Sequence, residues 1–170
     1  MNTVALAKNH QEALQSFLGD FERAGEASIA AFDPRKDETH MELLGRLAAD
    51  ERGENLPEDR VACTTRFLEA NGELLGVFSL RHSLNEALRL QGGHVGYSVR
   101  PSMRKKGHGV RLLKAAMELA RKLSIESILV TCDPENIGSS RIIEKCGGKI
   151  EDEFYHAPIS RHVRRYWIEL

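Results

Sequence analysis

The run Arg104-Lys105-Lys106-Gly107-His108-Gly109 constrains this chain more than any other six residues. It follows a short strand-like segment, His94 to Val99, and precedes an amphipathic stretch that predicts a helix from about Val110 to Leu123. Two glycines around one residue at a strand-to-helix junction let backbone N–H groups approach an anion closely. The helix that follows adds its unpaired amides and the positive end of its dipole. Arg104, Lys105 and Lys106 put positive charge beside those amides. A diphosphate is the natural guest. The glycines alone fit a plain tight turn equally well. A Rossmann fingerprint is excluded, because its third glycine would fall at Leu112, and a P-loop is excluded because no Gly-Lys-Ser/Thr follows. Pro101 ends the upstream strand, since proline brings no N–H to a continuing ladder.

The elements around that junction follow from periodicity. Val4 to Ala7 predicts a short first strand. Leu14, Phe17, Leu18 and Phe21 recur at helical spacing within Gln11 to Ala24, as do Met41, Leu44, Leu47 and Ala48 within Thr39 to Arg52. From Val61 the pattern turns to strands, Cys63 to Leu68 and Glu73 to Leu80, around the hairpin signal Asn71-Gly72. A longer connection, His82 to Gly93, leads into the strand at His94. Beyond the glycine helix come a buried strand, Ser127 to Thr131, and a helix, Asn136 to Lys145, stopped by Cys146-Gly147-Gly148. Lys149 to Tyr155 and Val163 to Glu169 predict a closing antiparallel pair. Helices, a meander, then β-α-β-α-β-β give a mixed α/β (α+β) sheet with helices packed against it.

A chain of 170 residues fits one domain with a substantial core. Apolar content of 41% and charged content of 29% are ordinary for a soluble globular protein. The net charge of −1 gives no global pull toward nucleic acid or anionic membrane. Aromatics make up 6% and no recognition-helix pattern occurs, so nucleic-acid binding by the basic turn is disfavoured. Cys63, Cys132 and Cys146 are too few and too scattered for a disulfide framework or a metal knuckle. With no apolar leader at Met1 to His10 and no run of about 18 apolar residues, the expected location is cytoplasmic.

Charge is uneven along the chain. Arg100 to Lys122 holds eight basic residues and one acidic one, Glu118, whereas Asp20 to Asp59 holds twelve acidic residues against five basic ones. Solvated helical faces explain most such charges. The alternative places a polyanion at the first segment and a cationic substrate near the second.

The pattern Arg-x-x-Gly-x-Gly after a strand, with Val99-Arg100-Pro101 upstream and Asn136-Ile137-Gly138-Ser139 downstream, resembles the acyl-coenzyme A site of the GNAT superfamily of N-acetyltransferases. From about residue 54 to 170 the chain is similar to a bacterial branch of that superfamily without an assigned substrate. The matching stretches are Gly53-Glu54-Asn55-Leu56-Pro57, Arg81-His82-Ser83-Leu84-Asn85, Gly92-Gly93-His94-Val95-Gly96-Tyr97, Val99-Arg100-Pro101-Ser102 and the ending Arg165-Tyr166-Trp167-Ile168-Glu169-Leu170. The resemblance implies a GNAT-like mixed, mostly antiparallel, splayed sheet of about six to seven strands with helices on both faces. It implies a single domain of residues 1–170, with 1–60 as a helical wall on the acceptor side and 61–170 as the sheet and acyl-CoA site. Acetyl-CoA is then the acyl donor, and no metal is expected. Its contacts are expected at Tyr97, Ser98, Val99, Arg104, Lys105, Lys106, Gly107, His108, Gly109, Val110, Asn136 and Ser139. Asn136 and Ser139 also fit plain helix capping. His108 is expected to lend its backbone amide rather than its ring.

Acyl transfer to an amine needs a deprotonated nitrogen, a polarised thioester carbonyl and a stabilised leaving thiolate. His94 is the expected base, starting the donor-side strand with an ordinary pKa of about 6.5; the alternative is that it merely caps that strand. His82 is the reserve, expected near the same sheet end. A backbone N–H near Tyr97 to Val99 is expected to polarise the carbonyl. At the position where GNAT enzymes often carry a tyrosine acid stands Ile143, leaving water, Tyr155 or Cys132 for that task. An acyl-enzyme on Cys132 is disfavoured, since a buried thiol is usually just small and apolar.

The expected activity is transfer of an acetyl group directly to a primary amine of a small molecule or peptide. The acidic stretch favours a cationic acceptor such as a polyamine, an amino sugar or a lysine side chain. A coenzyme A-binding sensor without catalysis is the alternative that Ile143 leaves open. Neither nucleic acid nor membrane is an expected partner. The run Arg161 to Arg165 reads as a solvated strand face, with an anion-binding role or a homodimer contact as the alternatives.

Overall fold

The computed structural model describes residues 1–170. Strand β1 (Asn2–Val4) precedes helices α1 (Gln11–Arg23) and α2 (His40–Arg52). The hairpin β2 (Cys63–Ala70) and β3 (Glu73–Arg81), a short helix α3 (Glu86–Leu90) and β4 (Val95–Val99) follow. Then come α4 (His108–Lys122), β5 (Ser127–Cys132), α5 (Ile137–Lys145), β6 (Lys149–His156) and β7 (Arg161–Glu169).

Each helix forms where sequence supplies both a stripe and a stop. Leu14, Phe17 and Phe21 bury one face of α1. Thr39 caps α2 by accepting the Glu42 N–H at 3.3 Å, while the Glu42 carboxylate accepts the Thr39 N–H at 2.8 Å. Leu112, Leu113, Ala116 and Ala120 bury one face of α4. On one side of the sheet, α1 and α2 close over Phe67 and Val77, with Phe17 edge-on to Phe67 at 5.7 Å. On the other, α4 and Ile143 of α5 pack against Phe78, Leu80, Ile128 and Val130.

The seven strands form two antiparallel sheets, ordered β1-β2-β3-β4 and β5-β7-β6. β1 belongs to the first sixty residues yet completes the four-stranded sheet, so helices and strands make one unit. The two sheets are stitched at one point. The His94 N–H donates to the Leu129 carbonyl at 2.7 Å, and the Leu129 N–H donates to His94 Nδ1 at 2.9 Å. Gly92 N–H adds a bond to Thr131 Oγ1 at 2.9 Å. Beyond that stitch no ladder joins β4 to β5.

The pairing phase fixes what the gap exposes. Arg81 N–H donates to the His94 carbonyl at 2.8 Å, and Arg100 N–H to Leu75 at 2.9 Å. Even-numbered residues of β4 therefore pair with β3, and the N–H and C=O groups of Tyr97 and Val99 face the gap. On β5 the bond from Leu170 N–H to Glu126 at 2.9 Å sets the same alternation, which turns Thr131 toward the gap.

Four boundaries differ from sequence expectation. β1 stops at Val4 because His10 N–H bonds the Ala7 carbonyl and Ala7 N–H bonds His10 Nδ1, both at 3.0 Å, curling the chain into a 3-10 turn. The connection from His82 to Gly93 contains α3, started by Asn85 Oδ1 accepting the Leu88 N–H at 2.9 Å. α4 begins at His108, inside the glycine loop, and β7 begins at Arg161. No helix is long and apolar enough to cross a membrane.

Candidate active site

The glycine loop is shaped by two requirements. Gly107 sits at φ 81°, a left-handed conformation that side chains resist. At Gly109 an added Cβ would stand 2.5 Å from Ile142 Cδ1, so a larger residue has to push the end of that side chain aside. The first helical amide with a chain partner is Arg111, bonded to the Gly107 carbonyl at 3.3 Å; His108, Gly109 and Val110 N–H have none. These residues line a cleft of about 680 Å³ that also takes in Lys105, Tyr97, Ser98, Val99, Asn136 and Ser139. The His108 ring is buried with Nδ1 unpartnered, and burial, then Arg111 and Lys106, pushes its pKa down.

Arg104 departs from the expectation of a free cation. Its guanidinium grips Glu26 at 2.6 and 2.7 Å, its Nε donates to the Val99 carbonyl at 3.2 Å, and it lies 6.0 Å over the Phe21 ring. That pairing holds the Glu26 carboxyl below the usual range. Lys105 and Lys106 remain as the exposed cations without a carboxylate partner. The loop is anchored from below by Asp20, which accepts Ser102 N–H at 3.0 Å, Ser102 Oγ–H at 2.7 Å and Arg100 Nε at 3.3 Å. The Ser102 backbone bond is the main reason its carboxyl titrates far below normal.

A second cleft, of about 560 Å³, adjoins the first and shares Ala30, Tyr97, Asn136 and Ser139 with it. Asn136 Oδ1 accepts the Ser139 N–H at 3.0 Å, so it caps α5 while keeping its amide hydrogens for the cleft. The Tyr97 hydroxyl lies 2.9 Å from Ser139 Oγ. Burial pushes this phenol up to about 12, which keeps it neutral near pH 7. Ser98 lines the first cleft, but its backbone pairs with Val77 and its Oγ accepts the Ala30 N–H at 3.0 Å. Ser79 Oγ donates to the Ala31 carbonyl at 2.6 Å. These two serines pin the connection between α1 and α2 across the sheet. They carry Ala30 to the meeting point of both clefts, a long-range placement that no local pattern signals.

The histidines are placed otherwise than expected. His94 is 7% exposed, and its Nδ1 lone pair is held by the Leu129 N–H, which fixes the ring proton on Nε2. Burial first, then Arg89 and Arg81, pushes its pKa down to about 4. His82 does sit near the same sheet end, but the alternation of β3 turns its ring to the opposite face, where Nε2 lies 2.8 Å from Thr64 Oγ1. Neither ring lines either cleft. A ring whose Nδ1 lone pair is held by the Leu129 N–H has no free lone pair to take a proton, an arrangement that suits a structural task better than the expected base. Cys132 borders the second cleft 3.5 Å from Ser140 Oγ, and burial pushes its thiol up, away from thiolate. Ile143 is fully buried, and Tyr155 is exposed on β6 outside both clefts.

Half of the acidic stretch is paired with arginines. Of its twelve carboxylates seven are held: Asp20, Glu26, Glu38, Asp50, Glu51 and Glu54 by arginines, and Glu42 by the Thr39 cap. The second cleft itself carries Arg81, Arg161 and His162 against Asp133. Its field does not favour a purely cationic guest.

Relatives place this geometry. The profile of the Acetyltransferase (GNAT) domain family matches residues 4–149. The chain is 28% identical over 118 residues to the uncharacterized N-acetyltransferase YvbK of Bacillus subtilis (strain 168), covering 68% of this chain and 72% of that protein. Its fold matches yncA of Salmonella typhimurium, solved with acetyl-CoA, at a TM-score of 0.66 and 15% identity over 99% and 93% of the two chains. It also matches the Salmonella typhimurium acetyltransferase that modifies the N-terminal serine of ribosomal protein L7/L12, at 0.69 and 18% identity over 99% and 94%. A row of unpaired amides at the start of α4 beside a splayed sheet, together with the family match over most of the chain, gives the conclusion that this protein belongs to the GNAT acetyltransferases, enzymes that use acetyl-CoA.

Proposed function

We propose that the protein moves an acetyl group from acetyl-CoA directly to a primary amine of a small molecule or peptide. The observation that carries this reading is the unpaired gap between β4 and β5, which opens on the free amides of α4 and meets the second cleft at Tyr97, Asn136 and Ser139. An extended arm built of amides suits the N–H and C=O groups of Tyr97, Val99 and Thr131 as an added strand would. A diphosphate suits the amides of His108, Gly109 and Val110 with Lys105 and Lys106 alongside. Asn136 offers its side-chain N–H groups to the arm. The Tyr97 N–H, turned into the gap, is the donor for a thioester oxygen gaining negative charge. As the carbon–sulfur bond breaks, the electron pair goes to sulfur, and the neutral Tyr97 hydroxyl donates a hydrogen bond there while Ser139 orients it. With both histidines turned away, the amine gives its proton to solvent in the open second cleft. The three free thiols fit a reducing cytoplasm.

Calorimetry with coenzyme A and a thiol-release assay with acetyl-CoA and varied amines test this. Binding and release together are expected. Binding without release for any amine would favour the sensor reading that Ile143 leaves open.

A further inference from the structure

Arg81 is the unusual cation of this chain. Eight of the sixteen arginines pair with a carboxylate, and seven of the other eight are exposed to solvent. Arg81 alone is partly buried with no carboxylate partner. One of its terminal nitrogens donates to the Gly92 and Gly93 carbonyls, both at 3.1 Å, which aims the guanidinium at the start of β4. The remaining donors, Nε and the second terminal nitrogen, have no partner in the chain and are not sealed off from solvent, and Arg81 borders both the second cleft and a cavity of about 350 Å³ that holds Asp33, Asp50 and Asp59. Burial without a counter-charge pushes its pKa down. A half-desolvated cation with idle donors is costly unless something anionic completes it. Arg81 lines the second cleft together with Arg161, against Asp133, a net of +1 from two positive groups and one negative.

We propose that Arg81 is the acceptor-binding residue, and that the acceptor is an amine carrying its own oxyanion, a carboxylate or a phosphate, close to the reacting nitrogen. A guanidinium fork binds either group through two parallel N–H···O bonds. The anion anchored at the foot of β4 holds the rest of the acceptor in the second cleft, where Tyr97 and Asn136 mark the meeting point with the donor. The proposal rests on the acetyltransfer reading above and deepens it. It stands against the cationic acceptor that the acidic stretch favoured, because none of the carboxylates of that stretch lines the second cleft.

The test is thiol release from acetyl-CoA with matched amines: glycine against glycinamide, O-phosphoethanolamine against ethanolamine, and spermidine as a purely cationic control. At least one anionic member is expected to exceed its neutral partner about 10-fold or more in kcat/KM; the two pairs separate carboxylate from phosphate. Arg81→Gln is expected to erase that preference, bringing the kcat/KM ratio within the preferred pair to about 1, while calorimetric coenzyme A binding stays within about 3-fold. Arg81→Lys, which keeps charge without the fork, is expected to restore only part of it. The proposal is overturned if neutral partners or spermidine react as well as the anionic amines, or if Arg81→Gln lowers both members of a pair equally. Coenzyme A binding with no release across the panel also overturns the acceptor class, leaving the donor site standing. No calorimetric binding of coenzyme A overturns the acetyltransfer reading and the proposal with it.

Discussion

His94 and Tyr97 lie three residues apart on one strand and have opposite tasks. His94 is closed into the stitch between sheets, and Tyr97 opens onto both clefts. The folded His94 titrates near 4 and the unfolded ring near 6.5, so only the unfolded chain takes up a proton between those values. Stability from this group is complete above about pH 6.5 and falls as pH drops toward 4, by at most about 3 kcal/mol. Chemical denaturation across that range should show the decline, and His94→Ala should flatten it. The same substitution orphans the Leu129 N–H, so a loss of about 2 kcal/mol at pH 7.5 is expected, with kcat of the folded fraction within a few-fold of wild type. A catalytic collapse without a fall in stability would return His94 to the role of base. For Tyr97→Phe the expected outcome is reversed: kcat falls about 10- to 100-fold, the KM for acetyl-CoA moves less than about 3-fold, and the melting temperature barely shifts.

Among the elements, the glycine loop and α4 were the most legible, and the stitch the least. Glycine spacing, Pro101 and the stripe from Leu113 to Ala120 are local signals, and the helix forms where they point, two residues earlier than expected. Gly109→Ala tests that packing. Its methyl meets the movable end of Ile142 at 2.5 Å while alanine favours the helix, so a stability change under about 1 kcal/mol in urea unfolding is expected, with weaker coenzyme A binding by calorimetry. Asn136 was legible both as a cap and as a site residue, because one side chain carries an acceptor and donors on separate atoms. The commitment of His94 to Leu129, thirty-five positions away, leaves no trace in periodicity. The same is true of Arg104. Its cleft-side charge is read directly from the loop, but its partner Glu26 arrives from the connection after α1. The field left by a run of like charge therefore depends on its pairs as well, which here span from two residues in Arg52–Glu54 to eighty in Arg100–Asp20.

At the scale of the whole molecule, two sheets share one short seam and part beyond it, which leaves the backbone groups of Tyr97 and Thr131 and the Val99 N–H without partners. A ligand that fills the gap binds the folded state alone. At a coenzyme A concentration of about 100 Kd it should add about 2.7 kcal/mol, or roughly 5–10 °C in melting temperature for a chain of this size. Differential scanning fluorimetry measures the shift, and hydrogen exchange should slow at Tyr97 and Val99; an unmoved melting temperature would mean that nothing inserts there. The two clefts reach their common residues from different sides of the chain, one past the amides of α4 and the other past Arg161 and Val163. On the acetyltransfer reading proposed above, each reactant has its own door. Neither has to queue behind the other, and a spent carrier can back out while the acylated product still sits in the opposite doorway.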